Sequence, residues 1–203
     1  MDETSLIQTA KQGDVQTFNR LVLTYQQQVY NLALRMLSDE SLAEDATQET
    51  FLAAYRNLHK FRGGSFRAWL LRIVINRCYD ELRRQKRQPS QTLENPVVNN
   101  EEYLDDPVDI KDNQTLPEDA LAIRQLENAV QNCIEQLSKE NRAVVVLVDI
   151  QGMDNQAASD VVHVPLGTIK SRLARARLQL QDCLQGAWEL LPSQYRLRIE
   201  GSG

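Results

Sequence analysis

An all-α fold made of two small helical domains joined by a long acidic linker is what this 203-residue sequence predicts. Three observations lead there. Apolar residues recur at steps of three and four through most of the chain. Glycine and proline are few, eight and six, among many Leu, Ala, Gln, Glu and Arg, a mixture that favours helices over turn-rich β structure. One interval, residues 88–117, has no helical period, several prolines and a cluster of acids (Glu94, Glu101, Glu102, Asp105, Asp106, Asp109, Asp112) against the single Lys111. A compact domain rarely holds so long a structureless loop, so this interval reads as a linker between domains at 1–87 and 118–184, with a tail at 185–203.

The elements follow in order. Leu6, Ile7 and Ala10 start the first helical pattern. Phe18, Leu21, Val22, Tyr25, Val29, Leu32, Ala33 and Met36 make a second, which Asp14 is placed to cap. Leu42, Phe51, Leu52, Tyr55 and Leu58 make a third, opened by Ser41 and Glu44 in a capping-box spacing. In "FRGGS" two glycines force a turn and Ser65 can cap a long helix from about Phe66 to Arg87. Beyond the linker, Leu121–Leu137 forms a helix and Ser138 starts another through "VVVLVDI". That valine run alone would suit a buried strand, but its neighbours offer no partner strand. "NQAASDVV" is a short helix, and Val162–Val164 a tight turn in which His163 tolerates left-handed backbone. Pro165 then stands where a last helix should begin.

Several function classes are disfavoured. No apolar run is long enough to cross a bilayer, and the opening "MDETSLIQTAKQGD" is unlike a secretory signal, so a cytoplasmic protein with no membrane insertion is expected. Cys78, Cys133 and Cys183 are odd in number and far apart, with only His59 and His163 to assist. Neither a disulfide framework nor a metal site is expected; the cysteines read as small buried hydrophobes. No cofactor motif, phosphate-cradling loop or catalytic triad is visible, so no enzyme activity is expected.

Charge is distributed unevenly along a chain of net charge -5. In the helix 66–87, Trp69, Arg72, Asn76, Asp80, Arg83 and Arg87 share one face. An aromatic that stacks on bases, an amide that reads base edges and arginines that hold phosphates suit single-stranded nucleic acid. The competing reading makes Trp69 core and the arginines a solvated surface. The second face belongs to "GTIKSRLARARLQL", where Ile169, Leu173, Ala176 and Leu180 point inward. Thr168, Ser171, Arg172 and Arg175 point out together, with Lys170 and Arg177 on a flank and Arg142 upstream. With the preceding turn this is a helix-turn-helix pattern whose second helix enters the major groove. A merely solvated basic helix fits the turn and the Pro-Leu-Gly-Thr start less well.

Taken together, "AEDATQETFLAAYRNLHKFRGGSFRAWLLRIVINRCYDELRR" (43–84), with "LSKENRAVVVLVDIQG" through "VPLGTIKSRLARAR" (137–177), resembles regions two and four of bacterial RNA polymerase sigma factors. The resemblance is to the small extracytoplasmic function type (sigma-70 family, group 4), associated with stress responses, and covers nearly everything from Asp2 to Leu184. It implies that Asp45, Gln48 and Glu49 dock on the clamp helices of core polymerase. It implies that Phe61, Arg62, Gly63, Gly64, Ser65 and Phe66, with Asn76, capture a base flipped from the minus-ten element. Arg72, Arg83 and Arg84 would hold the separated strand or flanking duplex, and Lys170, Ser171, Arg172 and Arg175 would read the minus-thirty-five element. The linker would thread the polymerase cleft, although a plain flexible tether fits its composition equally. Core RNA polymerase and promoter DNA, duplex and single-stranded, are the implied partners, with an anti-sigma factor a candidate third.

The chain departs from the family at Asn155, Gln156, Ala157, Ala158 and Ser159, where relatives usually have an aromatic followed by acids and Ile-Ala. Ala158 leaves less apolar volume beneath the recognition helix. In the tail, Trp188, Leu190 and Leu191 suit an extension of the last helix, and the closing Gly-Ser-Gly reads as a cloning remnant. The competing function is a dimeric helix-turn-helix repressor, which would use residues 118–184 alone and leave the Trp69–Arg87 face unexplained.

Overall fold

The structure, a computed structural model, describes residues 2–87 and 117–185, with side chains from residue 123 in the second stretch. The linker prediction, the Trp188–Leu191 extension and the terminal Gly-Ser-Gly lie outside the described residues. Every regular element among the described residues is helical. In chain order these are α1 (Glu3–Lys11), α2 (Val15–Leu37), α3 (Glu40–Asn57), α4 (Phe66–Arg87), α5 (Pro117–Glu135), α6 (Lys139–Val145), α7 (Asn155–Val162) and α8 (Leu166–Gln185). A single 3-10 turn, Leu58–Lys60, follows α3, and α6 runs on as a wider π turn over Val146–Ile150. The valine run is therefore helical, with Val144, Val145 and Val146 buried in the core, Val148 half-buried and Ile150 exposed.

Local chemistry sets most of the boundaries. Asp14 caps α2 by accepting from Gln16 and Thr17 amides at 2.9 and 3.3 Å, and the Thr17 hydroxyl donates to the same carboxylate. These contacts hold the Asp14 carboxyl below its ordinary pKa. Ser138 caps α6 and Asp154 caps α7 in the same way. The Ser41–Glu44 capping box is corrected: α3 already begins at Glu40, and Asp39 is the cap, accepting from the Leu42 amide at 2.8 Å. Extended backbone at Asp39 (φ -140°) lets its short side chain reach the free amides, whereas Ser41 is already inside the helix.

Helices α2, α3 and α4 pack pairwise into a bundle with α1 laid across α2, burying Leu21, Leu32, Met36, Ala54, Phe66, Leu70 and Ile75. Helix α8 packs on α5, α6 and α7 over Ile134, Leu147, Val161, Ile169 and Leu173. The two groups also touch: α4 rests on α7, and α2 on α5, α6 and the π turn, so the buried side chains form one continuous cluster. Polar bonds cross the seam. Arg35 donates to Gln131 Oε1 at 2.8 Å, and Gln131 donates to Ser38 Oγ at 2.8 Å. Arg67 donates to the Gln151 carbonyl, and Gln151 to the Gln28 carbonyl.

The cysteine reading needs correction. Cys133 on α5 and Cys183 on α8 form a disulfide, their Cα atoms 5.8 Å apart across 50 residues of sequence. Residue spacing offered no sign of it, because only the packing of α5 on α8 brings the two together. Cys78 does behave as a small hydrophobe: it is fully buried, and burial pushes its thiol pKa up to about 12.

Candidate nucleic-acid interface

The Phe61–Phe66 loop joins the 3-10 turn to α4. Gly63 and Gly64 both have left-handed backbone (φ 103° and 86°), which explains two glycines in succession. A Cβ at either would meet nothing within 4 Å, so backbone angle is the constraint and the surroundings are open. Ser65 caps α4 as expected, its Oγ accepting from the Ala68 amide at 3.1 Å. Arg62, Gly63, Gly64 and Ser65 are exposed, whereas Phe61 and Phe66 are buried and form the floor. Their rings meet edge-on at 5.5 Å, and the half-buried Trp69 lies 5.4 Å from one and 5.5 Å from the other. Trp69 thus sits between the two sequence readings: one side packs on the core and the remainder faces out.

Further along α4, Asn76, Asp80, Arg83, Arg84 and Arg87 are exposed on the helix surface. Arg83 pairs with Asp80 and Arg84 with Glu81, both at 3.0 Å, and Asp80, Arg83, Arg84 and Arg87 line a depression of about 400 Å³. Arg72 behaves differently. It is half-buried, donates to the Asp160 carbonyl of α7 at 2.6 Å, and keeps a buried Nε with no hydrogen-bond partner among the described residues. In this arrangement Arg72 does not face open solvent with the rest of its row.

The last two helices form the expected helix-turn-helix. His163 closes α7 with left-handed backbone (φ 54°), and the Pro165 carbonyl accepts from the Thr168 amide at 2.8 Å at the start of α8. Ile169, Leu173 and Ala176 are buried. Ala158 is fully buried beneath them, so the small residue at that departure is accommodated in the packing. Lys170, Ser171 and Arg175 are exposed, with Thr168 and Arg172 half-buried at the edge of the same surface.

Two arginines depart from the expectation. Arg142 is 9% exposed, and its guanidinium donates to the Met36 and Glu135 carbonyls while its buried Nε finds no partner among the described residues, so in this arrangement it is turned into the fold. Burial also draws its pKa down. Arg177 is exposed but makes a two-pronged pair with Asp149, at 2.6 and 3.1 Å, so its charge is compensated within the fold. Neither partner was legible in the sequence. Met36 lies 106 residues from Arg142 and Asp149 lies 28 from Arg177.

On α3, Asp45, Gln48 and Glu49 are all exposed. Asp45 and Glu49 border a groove of about 250 Å³ shared with Arg77, Glu81 and Arg84 of α4, and Glu49 pairs with Arg77 at 3.5 Å. Gln48 turns to the other side, onto a mostly apolar groove of about 470 Å³ lined by Phe18, Val22, Phe51, Leu52 and Tyr55. Leu52 is 54% exposed and Tyr55 40%, a paired apolar surface that sequence periodicity had assigned to the core stripe.

A three-faced helical molecule of this kind is what a transcription initiation factor requires, and the comparisons with known proteins agree. The model of sigma-70 region 2 matches residues 21–88, and that of sigma-70 region 4 matches residues 127–180. The chain is 33% identical to an RNA polymerase sigma-H factor of Pseudomonas aeruginosa, over 89% of this chain and 92% of that one. It is also 33% identical to the extracytoplasmic function sigma factor SigW of Bacillus subtilis, over 88% and 95% of the two chains. The fold is similar to CnrH in its complex with the cytosolic domain of CnrY, with a TM-score of 0.65, 25% identity and coverage of 89% and 96%. It is likewise similar to the sigma factor RpoE in complex with the anti-sigma factor NepR from Bartonella quintana, with a TM-score of 0.62, 25% identity and coverage of 84% and 98%. The chain belongs to the extracytoplasmic function sigma factors of bacterial RNA polymerase. Because the likeness runs through both halves, the repressor alternative, which used only the second, is set aside.

Proposed function

We propose that this sigma factor divides initiation among three helical faces and performs no catalysis of its own. The observation that carries the reading is the separation of those faces: acidic and amide groups on α3, an aromatic and basic row on α4, and a basic row on α8. It works in the cytoplasm; among the described residues no helix is long and apolar enough to cross a membrane. Its two functional domains are residues 1–87 and 118–184, with 88–117 as the linker.

Asp45, Gln48 and Glu49 dock on core RNA polymerase. With net charge -5 the free chain is poorly attracted to DNA over distance, so docking delivers it. Once docked, the two DNA-binding faces act at high effective concentration, and neither needs high affinity alone. Lys170, Ser171, Arg172 and Arg175 enter the major groove of the minus-thirty-five element. A bidentate arginine there is worth about 1–3 kcal/mol of discrimination against the wrong base. At the minus-ten element a base leaves the stack, which costs a few kcal/mol. The Phe61–Phe66 loop, Trp69 and Asn76 take that base, while Arg83 and Arg84 hold phosphates. Arg72 joins them only after it releases the Asp160 carbonyl, so promoter binding and parting of the seam between α4 and α7 go together. An anti-sigma protein that occupied any one face would silence the factor.

In vitro transcription with purified core polymerase tests the reading. Promoter-specific transcripts that depend on the added chain are the expected outcome. Strong duplex binding by the isolated chain, indifferent to core polymerase and without transcripts, would overturn it.

A further inference from the structure

Lys11, the last residue of α1, reaches across to the loop of the minus-ten face. Its Nζ donates to the Phe61 carbonyl and lies 5.5 Å from the Phe61 ring centroid. The far end of the loop is tied down within α4, by the Ser65 cap and by the Trp69 amide on the Ser65 carbonyl at 3.1 Å. At the near end, the Phe61 amide bonds the Leu58 carbonyl at 3.1 Å. Among the described residues, Lys11 is the one side chain from another helix that bonds the loop backbone. Between these ties, no hydrogen bond of Arg62, Gly63 or Gly64 occurs among the described residues, and both glycines carry left-handed backbone in open surroundings.

We propose that Lys11 is a positioning residue for capture of the flipped base. By holding the Phe61 carbonyl and ring it keeps Phe61 edge-on to Phe66 and against Trp69, so the mouth of the loop stays open. The inference rests on the reading that this loop and Asn76 receive that base. Its physical basis is population: a site competent for only a fraction of the time binds more weakly in proportion to that fraction. A cation on a carbonyl beside an aromatic face is a strong local tie. A second link from the same helix, the Tyr25 hydroxyl to Glu3, reaches the floor beneath, where Tyr25 meets Phe66 at 5.7 Å. Helix α1 therefore holds the loop directly at Phe61 through Lys11, and reaches Phe66 only by way of Tyr25 through Glu3.

The test uses the full chain assembled with core polymerase. Equilibrium binding is measured to a single-stranded minus-ten oligonucleotide carrying the base at the flipped position, and to the same strand abasic there. Lys11→Met is expected to lose about tenfold of the preference for the base-bearing strand, and Lys11→Arg to stay within about twofold of the parent. Affinity for the abasic strand and for core polymerase should not change. Glu3→Ala, which cuts the other tie of α1, should cost less than Lys11→Met; equal losses would mean that α1 merely props the fold and would overturn the proposal. Full base preference in Lys11→Met would overturn it as well. The two readings separate through Asn76→Ala: if that change leaves the preference intact, the pocket assignment fails, and if it lowers the preference while Lys11→Met does not, only the role of Lys11 fails.

Discussion

Asn76 is exposed on the α4 surface one turn beyond the half-buried Arg72, with its amide available to a base edge. Asn76→Ala should weaken promoter melting by about 1–2 kcal/mol while leaving polymerase binding intact. Permanganate reactivity of the open complex reads that loss, and unchanged reactivity would remove Asn76 from the site. Asp45 makes no ion pair among the described residues, whereas Glu49 is matched by Arg77. The charge of Asp45 is thus free for a partner. Reversal by Asp45→Lys should abolish co-purification with core polymerase, since like charges across an interface cost several kcal/mol. Glu49→Lys would also set a lysine against Arg77, so its effect would mix lost docking with strain inside the fold. The types of these residues were readable in the sequence; which of them are already spent was not. Arg72, Arg142 and Arg177 all read as DNA ligands, and each meets an oxygen contributed by a distant segment that would have to be given up before it could serve DNA.

Helix α8 shows the same division within one element. Its inward stripe followed from a 3.6-residue period, and the turn before it from His163 and Pro165, because these depend on local backbone preference. The outer row is graded by neighbours. Arg175→Ala should relax base preference at one minus-thirty-five position by about 1–3 kcal/mol. Arg177→Ala should leave that preference alone, and loss of its exposed pair with Asp149 should alter stability by about 0–1 kcal/mol. A binding series over single-base promoter variants separates the two; equal loss of preference in both would mean that the Asp149 pair opens on DNA. In α3 the cap was misplaced by two residues: Asp39, on extended backbone, accepts from the Leu42 amide, so the helix has already begun when Ser41 is reached.

For the molecule as a whole, Arg142 is one of several polar ties across the seam between the helical groups, and the most buried of them. Its guanidinium joins the Met36 carbonyl of α2 to the Glu135 carbonyl of α5 from a position against the core. Arg142→Ala leaves both carbonyls short of a donor and should destabilise the protein by about 2–3 kcal/mol. Thermal unfolding measures the loss, and an unchanged melting temperature would mean that the two groups do not depend on that bond. The minus-thirty-five assignment predicts otherwise: a direct DNA role for Arg142 would lower promoter affinity with no change in stability.

Sequence alone determined the helical class, the start and end of α4, the reversal between α7 and α8, and the family, because each depends on residues close together along the chain. The tertiary structure decided which charges stay available. It joined Cys133 to Cys183, buried Arg142, engaged Arg72 and brought Lys11 to Phe61. The physical reason is range: periodicity and capping act within a few residues, whereas a buried polar group takes whichever partner the packing of helices brings within about 3 Å of it.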